Sequence, residues 1–389
     1  MTTPHIIGWA HTRFGRSESP DVEALLAEVS LAALADAEVD PQDVDAVHVG
    51  VFNNGFSDQG FEAALVGSGQ PALALAPATH HENACATGSA ALFAGLDQVE
   101  AGRARIVLVL GAEKMTATPN EAVNDILLSG LHRPTEAHVG SFAGVFAGLA
   151  DQYAERYGDP RGAMARISAK NHRNGVDNPY AHLRRDLGVD FCSTPSEKNP
   201  VVTGRLLRTD CSLVSDGAAA LVVAVPDVAT TARRSVRVVG RHHTNDHLQV
   251  ASRADALALD GAARAFRCAL AEARVDLDDL DLLETHDCFT IAELLQYEAF
   301  GIAAPGKGAE ALAEGRTERD GVLPVNRSGG LKAKGHPLGA TGVSQHVMAA
   351  MQLVGEADAM QLPTADRAAV FNMGGAAVAN YATVLEGAR

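Results

Sequence analysis

The two halves of the sequence contain similar short segments, or phrases, in the same order. This repeat constrains the fold more than any other feature of the sequence. Val39–Asp45 follows a helical pattern over 22–37, and the similar phrase Val275–Asp281 follows a helical pattern over 260–273. The two phrases lie 236 residues apart, and each runs into a short apolar strand. Strands that alternate with helices predict an α/β fold with parallel sheets covered by helices.

A second pair of phrases continues the repeat. Cys85–Gly88 matches His336–Gly339 at an offset of 251 residues, and each phrase opens a helical pattern. The strand-like runs 105–111 and 368–374 then match loosely. Two copies in one order predict a pseudo-twofold molecule, in which the loops at Cys85 and His336 can meet at the centre.

The composition fits this prediction and limits the partners. The chain has 389 residues, 47% of them hydrophobic, and 37 glycines, which suits two domains or one duplicated domain with tight strand–helix turns. Its net charge of −16 argues against nucleic acid or an anionic membrane as a partner. A small anionic ligand held by local basic groups stays compatible with it.

The five cysteines form no C-x-x-C pair, and their number is odd. We therefore expect no disulfide framework, no metal site and a reducing, cytoplasmic compartment. Residues 1–13 lack the basic-then-apolar pattern of a signal peptide. The longest apolar strings, such as Ile106–Leu110, are too short to span a bilayer, so no membrane segment is expected.

An irregular segment interrupts the first copy of the repeat. It holds six prolines and two helical stretches, at 141–157 and 161–173. We predict a first core half over 1–114 and 210–232, an inserted loop domain over 115–209, and a second core half over 233–389. The insertion carries a basic group that can meet a phosphate-bearing ligand or form an ordinary solvated surface: Arg184, Arg185, Lys198, Arg205 and Arg208.

Cys85 is the candidate nucleophile. Small residues surround it, and a helix is predicted to start on it, which favours the thiolate through the helix dipole and leaves room for a substrate. The alternative is a buried structural cysteine. In the glycine-rich window 326–342, the pseudo-twofold places the imidazole of His336 within reach of the thiol, as a Cys–His nucleophilic pair requires. A turn-stabilising histidine or a phosphate-binding loop are the alternatives for that window.

Two further windows follow predicted strands. Glu284–Phe289 offers a possible hydrogen-bond donor, His286, and a second thiol, Cys288, at the end of a strand where ligands gather in parallel sheets. Phe371–Ala377 contains two consecutive glycines, whose backbone N–H groups can form an oxyanion hole. A structural histidine and a bare turn are the respective alternatives.

Together these windows resemble the thiolase family over nearly the whole chain. The resemblance rests on the window around Cys85, on Ser215–Ala220, on Gly335–Gly342 and on the C-terminal glycine pair. His-Asp-Cys-Phe at 286–289 resembles the sterol-carrier-protein type, where other thiolases have Asn-Glu-Ala-Phe. The resemblance implies a five-layered α-β-α-β-α duplicated fold with an inserted loop domain, and an assembly of at least two subunits.

The resemblance also implies roles for individual residues. Cys85 resembles the acylated nucleophile, His336 the base that takes its proton, and His286 the family asparagine of one oxyanion site. The backbone N–H groups of Cys85 and Gly374 would form a second oxyanion site. For coenzyme A the resemblance implies contacts with Ser212, which matches a serine at the pantetheine arm, and with Arg205 and Lys198 at the phosphates.

One position departs from the better-known thiolases, which have a second catalytic cysteine where this chain has Asn372. An amide cannot shuttle a proton as a thiol can, and the sterol-carrier-protein type suggests that Cys288 takes this role. The resemblance implies cleavage of 3-ketoacyl-CoA by CoA or the reverse Claisen condensation, with acyl-CoA and CoA as substrates and no tightly bound cofactor. A CoA-ester carbon–carbon lyase, or a thiolase-like protein that needs a small accessory acyl-CoA-binding protein, are the alternatives.

Overall fold

The structure, a computed structural model, describes residues 2–388. Its strands are β1 (His5–His11), β2 (Ala46–Gly50), β3 (Ala78–His81), β4 (Ile106–Glu113), β5 (Val201–Thr203), β6 (Leu206–Leu207), β7 (Gly217–Ala224), β8 (Val236–Asn245), β9 (Leu282–Glu284), β10 (Arg367–Gly374) and β11 (Ala379–Gly387).

The helices begin and end close to the predicted limits where the sequence was periodic. They are α1 (Val22–Asp36), α2 (Glu62–Gly69), α3 (Thr87–Glu100), α4 (Asn120–Leu128), α5 (Arg133–Glu136), α6 (Phe142–Tyr157), α7 (Arg161–Asp177), α8 (Val189–Ser193), α9 (Pro226–Ala229), α10 (Asp260–Ala273), α11 (Thr290–Ala299), α12 (Gly308–Ala313), α13 (Gly330–Lys334) and α14 (Leu338–Leu353). The first residues of α3 and α14 are 251 positions apart, the same offset as in the sequence repeat.

The two halves of the chain build sheets of the same internal order. The first half pairs its strands as β3-β2-β4-β7-β1 and the second as β9-β10-β11-β8. The sheets join where β1 meets β8, with Ile6 opposite Val236. Strands β2, β4, β7 and β1 therefore correspond in order to β9, β10, β11 and β8, which is the duplication that the repeat predicted.

The expectation of parallel sheets is wrong for part of each half. Strands β2, β3 and β4 are mutually parallel, and β9 is parallel to β10. In contrast, β7 runs antiparallel to both β4 and β1, and β11 runs antiparallel to both β10 and β8. For β10 and β11 the reason is connectivity, because β11 follows β10 through a short turn, which can only return the chain antiparallel.

The layers follow from the alternation of apolar side chains along the strands. On β4, Val107 and Val109 face a central core that includes residues of α3 and α14, whereas Leu108 and Leu110 face a separate core with α1. Helices α3 and α14 thus lie between the two sheets, and α10 packs on β8 and β11. The predicted five-layered, duplicated fold is confirmed.

The segment between β4 and β7 holds helices α4 to α8 and the β5–β6 hairpin. Position 115 is the second residue after β4, and position 209 falls in a short 3-10 turn before β7. Among residues 2–388, no helix is both long and apolar enough to cross a membrane.

Candidate active site

Cys85 lies in a tight turn just before α3, not on the helix itself. Ala84 adopts a left-handed conformation with φ of 50°, and the helix begins at Thr87 with Ala86 as its N-cap. The thiol side chain is buried, with 7% of the residue exposed. The expectation that the helix starts on Cys85 is therefore off by two residues.

The expectation of a thiolate is also wrong for the free protein. Burial raises the pKa of the Cys85 thiol to about 12, and this effect outweighs the opposing hydrogen bonds from the backbone of Gly375 and of Cys85 itself. The carboxylates of Glu82 and Glu113 raise the pKa further. Desolvation disfavours the charged sulfur more than the helix end favours it, so Cys85 rests as a neutral thiol and needs a base.

His336 is held in the turn before α14. Its Nδ1 lies 2.7 Å from Oγ1 of Thr341, and the Thr341 hydroxyl donates to the carbonyl of Pro337 at 2.9 Å. Burial, and secondarily the charge of Lys334, lower the pKa of His336 to about 3. The imidazole is therefore neutral and able to accept a proton.

The structure brings Cys85, His336 and His286 together. One side-chain atom of each, the sulfur and two ring nitrogens, lies within 4.8 Å of the others. The two imidazole rings meet edge to face at 5.1 Å between centroids. The Nε2 atoms of both histidines are buried and make no hydrogen bond with any described residue. Buried polar atoms are nearly always satisfied, so two such atoms beside a thiol indicate a place for substrate.

Asp287 fixes the window that carries His286 and Cys288. Its buried carboxylate accepts hydrogen bonds from the backbone of Leu331 at 2.6 Å and of Lys332 at 3.1 Å, and from Nδ2 of Asn171 at 2.7 Å. This ties the end of β9 to the first turn of α13 and to α7. A buried carboxylate held by three donors is a rigid anchor for the residues on either side of it.

Cys85 lines a cavity of about 260 Å³, which we call the catalytic cavity. Cys288 lines it and is 3% exposed, and burial followed by the proximity of Cys85 raises the pKa of the Cys288 thiol well above its usual range. The rest of the lining is mostly apolar and includes Phe52, Met115, Leu127, Phe142, Ala143, Val202, Cys211, Ser212, Leu213, Val214, Phe289 and Leu338.

A second cavity, of about 480 Å³, shares Leu213 with the first. The exposed cations Arg185, Lys198 and Arg208 line it, and among the described residues none of the three side chains makes an ion pair. Buried Lys332 and His172 lie at its inner wall. We call this the basic cavity.

The remaining predicted ligand contacts differ in their placement. Ser212 lines the catalytic cavity and Lys198 the basic cavity, whereas Arg205 lines neither and pairs with Asp151 at 2.8 Å and Asp159 at 3.4 Å. The backbone amide of Gly375, one residue beyond the predicted Gly374, acts with that of Cys85 to lower the pKa of the Cys85 thiol. Gly374 instead packs against the carbonyl of Asn83 so closely that a side chain would meet it at 2.3 Å.

Sequence reasoning did not find Glu113, the last residue of β4. Its buried carboxylate accepts from the backbone N–H groups of Phe52, Asn53 and Gly339 at 2.9, 3.0 and 2.9 Å. It thereby ties the loop after β2 to the first turn of α14, next to His336. A glutamate that ends a fully buried strand was the available signal.

Comparison with known proteins agrees with this geometry. Residues 5–190 match the family model of the thiolase N-terminal domain, and residues 242–387 match the thiolase C-terminal domain-like family. The chain belongs to the thiolase family.

Individual relatives support the same assignment. The chain is 34% identical to an acetyl-CoA acetyltransferase of Methanothermobacter thermautotrophicus over 95% of this chain and 96% of that one. It is 32% identical to human sterol carrier protein 2 over 95% of this chain and 69% of the relative.

Solved structures share the fold. The Ltp2-ChsH2(DUF35) aldolase superposes with a TM-score of 0.83 at 20% identity, covering 100% of this chain and 98% of that one. Human mitochondrial 3-ketoacyl-CoA thiolase in complex with CoA superposes with a TM-score of 0.74 at 19% identity, covering 100% and 98%.

Proposed function

We propose that the protein is an acyl-CoA C-acyltransferase that works through an acyl group on Cys85. It cleaves a 3-ketoacyl-CoA with CoA, or joins two acyl-CoA units in the reverse direction. The observation that carries this proposal is the meeting of the Cys85 sulfur with two neutral histidines whose Nε2 atoms are unpartnered, beside a second thiol.

In the first half of the cleavage reaction, the Cys85 sulfur attacks the 3-keto carbon while its proton passes to Nε2 of His336. Breaking the bond between C2 and C3 leaves the acyl group on Cys85 and an enolate of the shortened acyl-CoA. Cys288 donates its proton to C2 of that enolate. A thiol whose pKa is raised by burial holds that proton in the resting site, as a general acid must.

In the second half, the thiol of CoA attacks the acyl–Cys85 thioester and gives its proton to the Cys288 thiolate. The Cys85 sulfur leaves and recovers its proton from His336. The Cys85 proton returns from His336, and the proton that Cys288 gave to C2 is replaced by the proton of CoA, so the site is regenerated without a metal or redox cofactor. The apolar lining of the catalytic cavity excludes water, which would otherwise hydrolyse the thioester.

The nucleotide half of CoA would lie in the basic cavity. Its phosphates would meet Lys198, Arg185 and Arg208, while the pantetheine arm passes Ser212 and Leu213 toward Cys85. Unpaired cations gathered in one place on a chain of net charge −16 are the support for this placement. The salt bridges of Arg205 to two aspartates argue for a structural role at that position.

The direct test is acyl transfer to Cys85. Incubation with acetyl-CoA or acetoacetyl-CoA, followed by digestion and mass spectrometry, should show an acetylated peptide containing Cys85 and none in Cys85→Ala. Intact protein that acquires no acyl group over several chain lengths would sink the thiolase proposal. It would favour a carbon–carbon lyase on the same scaffold, which cleaves a CoA ester without acylating a cysteine.

A thiolase-like enzyme that depends on an accessory protein is the second candidate. Two valines that line the catalytic cavity favour it, because Val202 and Val214 are 49% and 39% exposed. The aldolase neighbour also contains a DUF35 component by its title. Turnover by the purified chain alone, at the rate seen in a lysate of its source, would count against this candidate.

A further inference from the structure

Asn372 lies on β10, is fully buried, and contacts both the main chain of Cys85 and the ring of His286. Its Nδ2 atom is 3.2 Å from the carbonyl oxygen of Cys85 and 2.9 Å from Nδ1 of His286, and its Oδ1 atom is 2.8 Å from Oγ of Ser89. The amide is thus in contact with the nucleophile's backbone and with one catalytic ring at once.

The chemistry of these neighbours determines which way the amide points. A backbone carbonyl can only accept a hydrogen bond, so the atom that faces Cys85 must be the NH₂ group. The same NH₂ group faces Nδ1 of His286, and therefore Nδ1 must accept. In a neutral imidazole the proton is then on Nε2.

Nε2 of His286 is buried and has no hydrogen-bond partner among residues 2–388, and the His286 ring lies beside the Cys85 sulfur and the His336 ring. An N–H at this position is a donor for a thioester oxygen, and a lone pair there would repel it. His336 has the opposite arrangement. Since the Thr341 hydroxyl donates to Pro337, its oxygen accepts from Nδ1–H of His336, which leaves Nε2 as the proton acceptor.

We propose that Asn372 is a positioning residue that holds His286 in the Nε2–H form, so that two neutral histidines with opposite tautomers divide the work of donor and base. This inference rests on the proposed function. The proposal assigns a role to Asn372 at the position where other members of the family have a cysteine. With this role, the residue at position 372 does not have to transfer a proton.

The tautomer can be read directly in the wild-type protein. With ring-¹⁵N-labelled histidine, the signal of His286 among the 15 histidines is assigned by its loss in His286→Gln. We expect a protonated Nε2 and an unprotonated Nδ1 for His286. Asn372→Asp, which offers only acceptors to the ring, should place a proton on Nδ1. A wild-type His286 with its proton on Nδ1 would overturn the proposal, whatever the activity of any variant.

Kinetics separate positioning from mere packing. Asn372→Leu keeps the size of the side chain but removes the hydrogen-bond donor. The rate of the carbon–carbon step should therefore fall by at least about 10-fold, with little change in KM. The upper limit is the roughly 1,000-fold loss in rate that removal of an oxyanion donor causes. Acetylation of Cys85 by acetyl-CoA should persist. Condensation at the wild-type rate in Asn372→Leu would refute the proposal.

The matched control is Asn380→Leu on the neighbouring strand β11. Asn380 is also fully buried, and its amide donates only to the backbone carbonyls of Thr244, Ala377 and Val378. It should lose stability and keep its carbon–carbon kcat. Equal losses of kcat in both variants would mean that Asn372 is only structural. A wild-type protein without acyl-Cys85 would count against the proposed function, while the NMR result would still decide the tautomer.

Discussion

At the scale of single residues, the proposed catalytic pair, Cys85 and His336, is a thiol and an imidazole, not a preformed ion pair. The pKa of Cys85 is raised to about 12 and that of His336 is lowered to about 3, in both cases chiefly by burial. Each shift favours the neutral form, so both groups stay neutral between those values. The proton therefore moves only when a substrate is bound and the sulfur attacks.

This neutrality predicts the pH dependence of alkylation. Below its pKa a thiol gains about tenfold in thiolate for each pH unit, so the rate of Cys85 modification by iodoacetamide should rise steadily from about pH 6 to pH 9 without a plateau. Peptide mass spectrometry isolates Cys85 from the other four cysteines. A rate that levels off near neutral pH would show a low-pKa thiolate and contradict this account.

The role proposed for Cys288 predicts that its removal affects acylation and condensation to different extents. Cys288→Ala leaves Cys85 and His336 in place, and CoA can leave as a thiolate without a proton from Cys288, so acetyl-CoA should still acylate Cys85, although more slowly. Condensation should fall by about 100-fold or more, because the general acid–base group at the α-carbon is gone. Acylated peptide and condensation product are measured in the same samples. If condensation survives unchanged, the role given to Cys288 is wrong.

The residue scale also marks the limit of sequence reasoning. The offset of 251 residues placed Cys85 opposite His336, because a repeated strand–helix unit carries its loops to equivalent places. The tautomer of His286 could not be predicted from the sequence, because it depends on Asn372, which is 86 residues away in the chain. The ionisation of Cys85 was misjudged because burial is a property of the whole fold, whereas a helix start can be read locally.

At the scale of elements, the site depends on how closely α3 and α14 approach each other. Cys85 and His336 lie in the turns that precede α3 and α14. Glycines lie where the two helices contact each other. A side-chain carbon at Gly342 would be 2.4 Å from the backbone nitrogen of Ser89 and 2.6 Å from Oδ1 of Asn372. No L-residue other than glycine fits there without moving one helix.

We therefore expect Gly342→Ala to destabilise the protein by about 1–3 kcal/mol and to reduce acylation of Cys85 by at least tenfold. The matched control is Gly148→Ala in the middle of α6, where no atom lies within 4 Å of the added carbon. That change should be neutral or stabilise by up to about 1 kcal/mol. Thermal unfolding and acyl-peptide yield are the measurements, and equal effects of the two variants would contradict the packing argument.

At the scale of the whole molecule, the sheet of the first half ends in an uncovered strand. β3 pairs with β2 on one side only, and its first three residues are exposed. Two large apolar side chains nearby are also exposed, Leu75 at 98% and Phe61 at 79%. An unpaired edge strand beside exposed apolar residues can pair with a strand of another chain. The resemblance to the thiolase family implies that this other chain is a second copy of the protein.

We expect the protein to self-associate through this edge. Leu75→Glu should shift the molecular weight measured by sedimentation toward the monomer, because a carboxylate would be buried at the contact. Val322→Glu is the control: its side chain is 75% exposed in the second half of the chain, and the assembly should tolerate its charge. Wild-type protein that sediments as a monomer at micromolar concentration, or an assembly that survives Leu75→Glu but not Val322→Glu, would place the interface elsewhere.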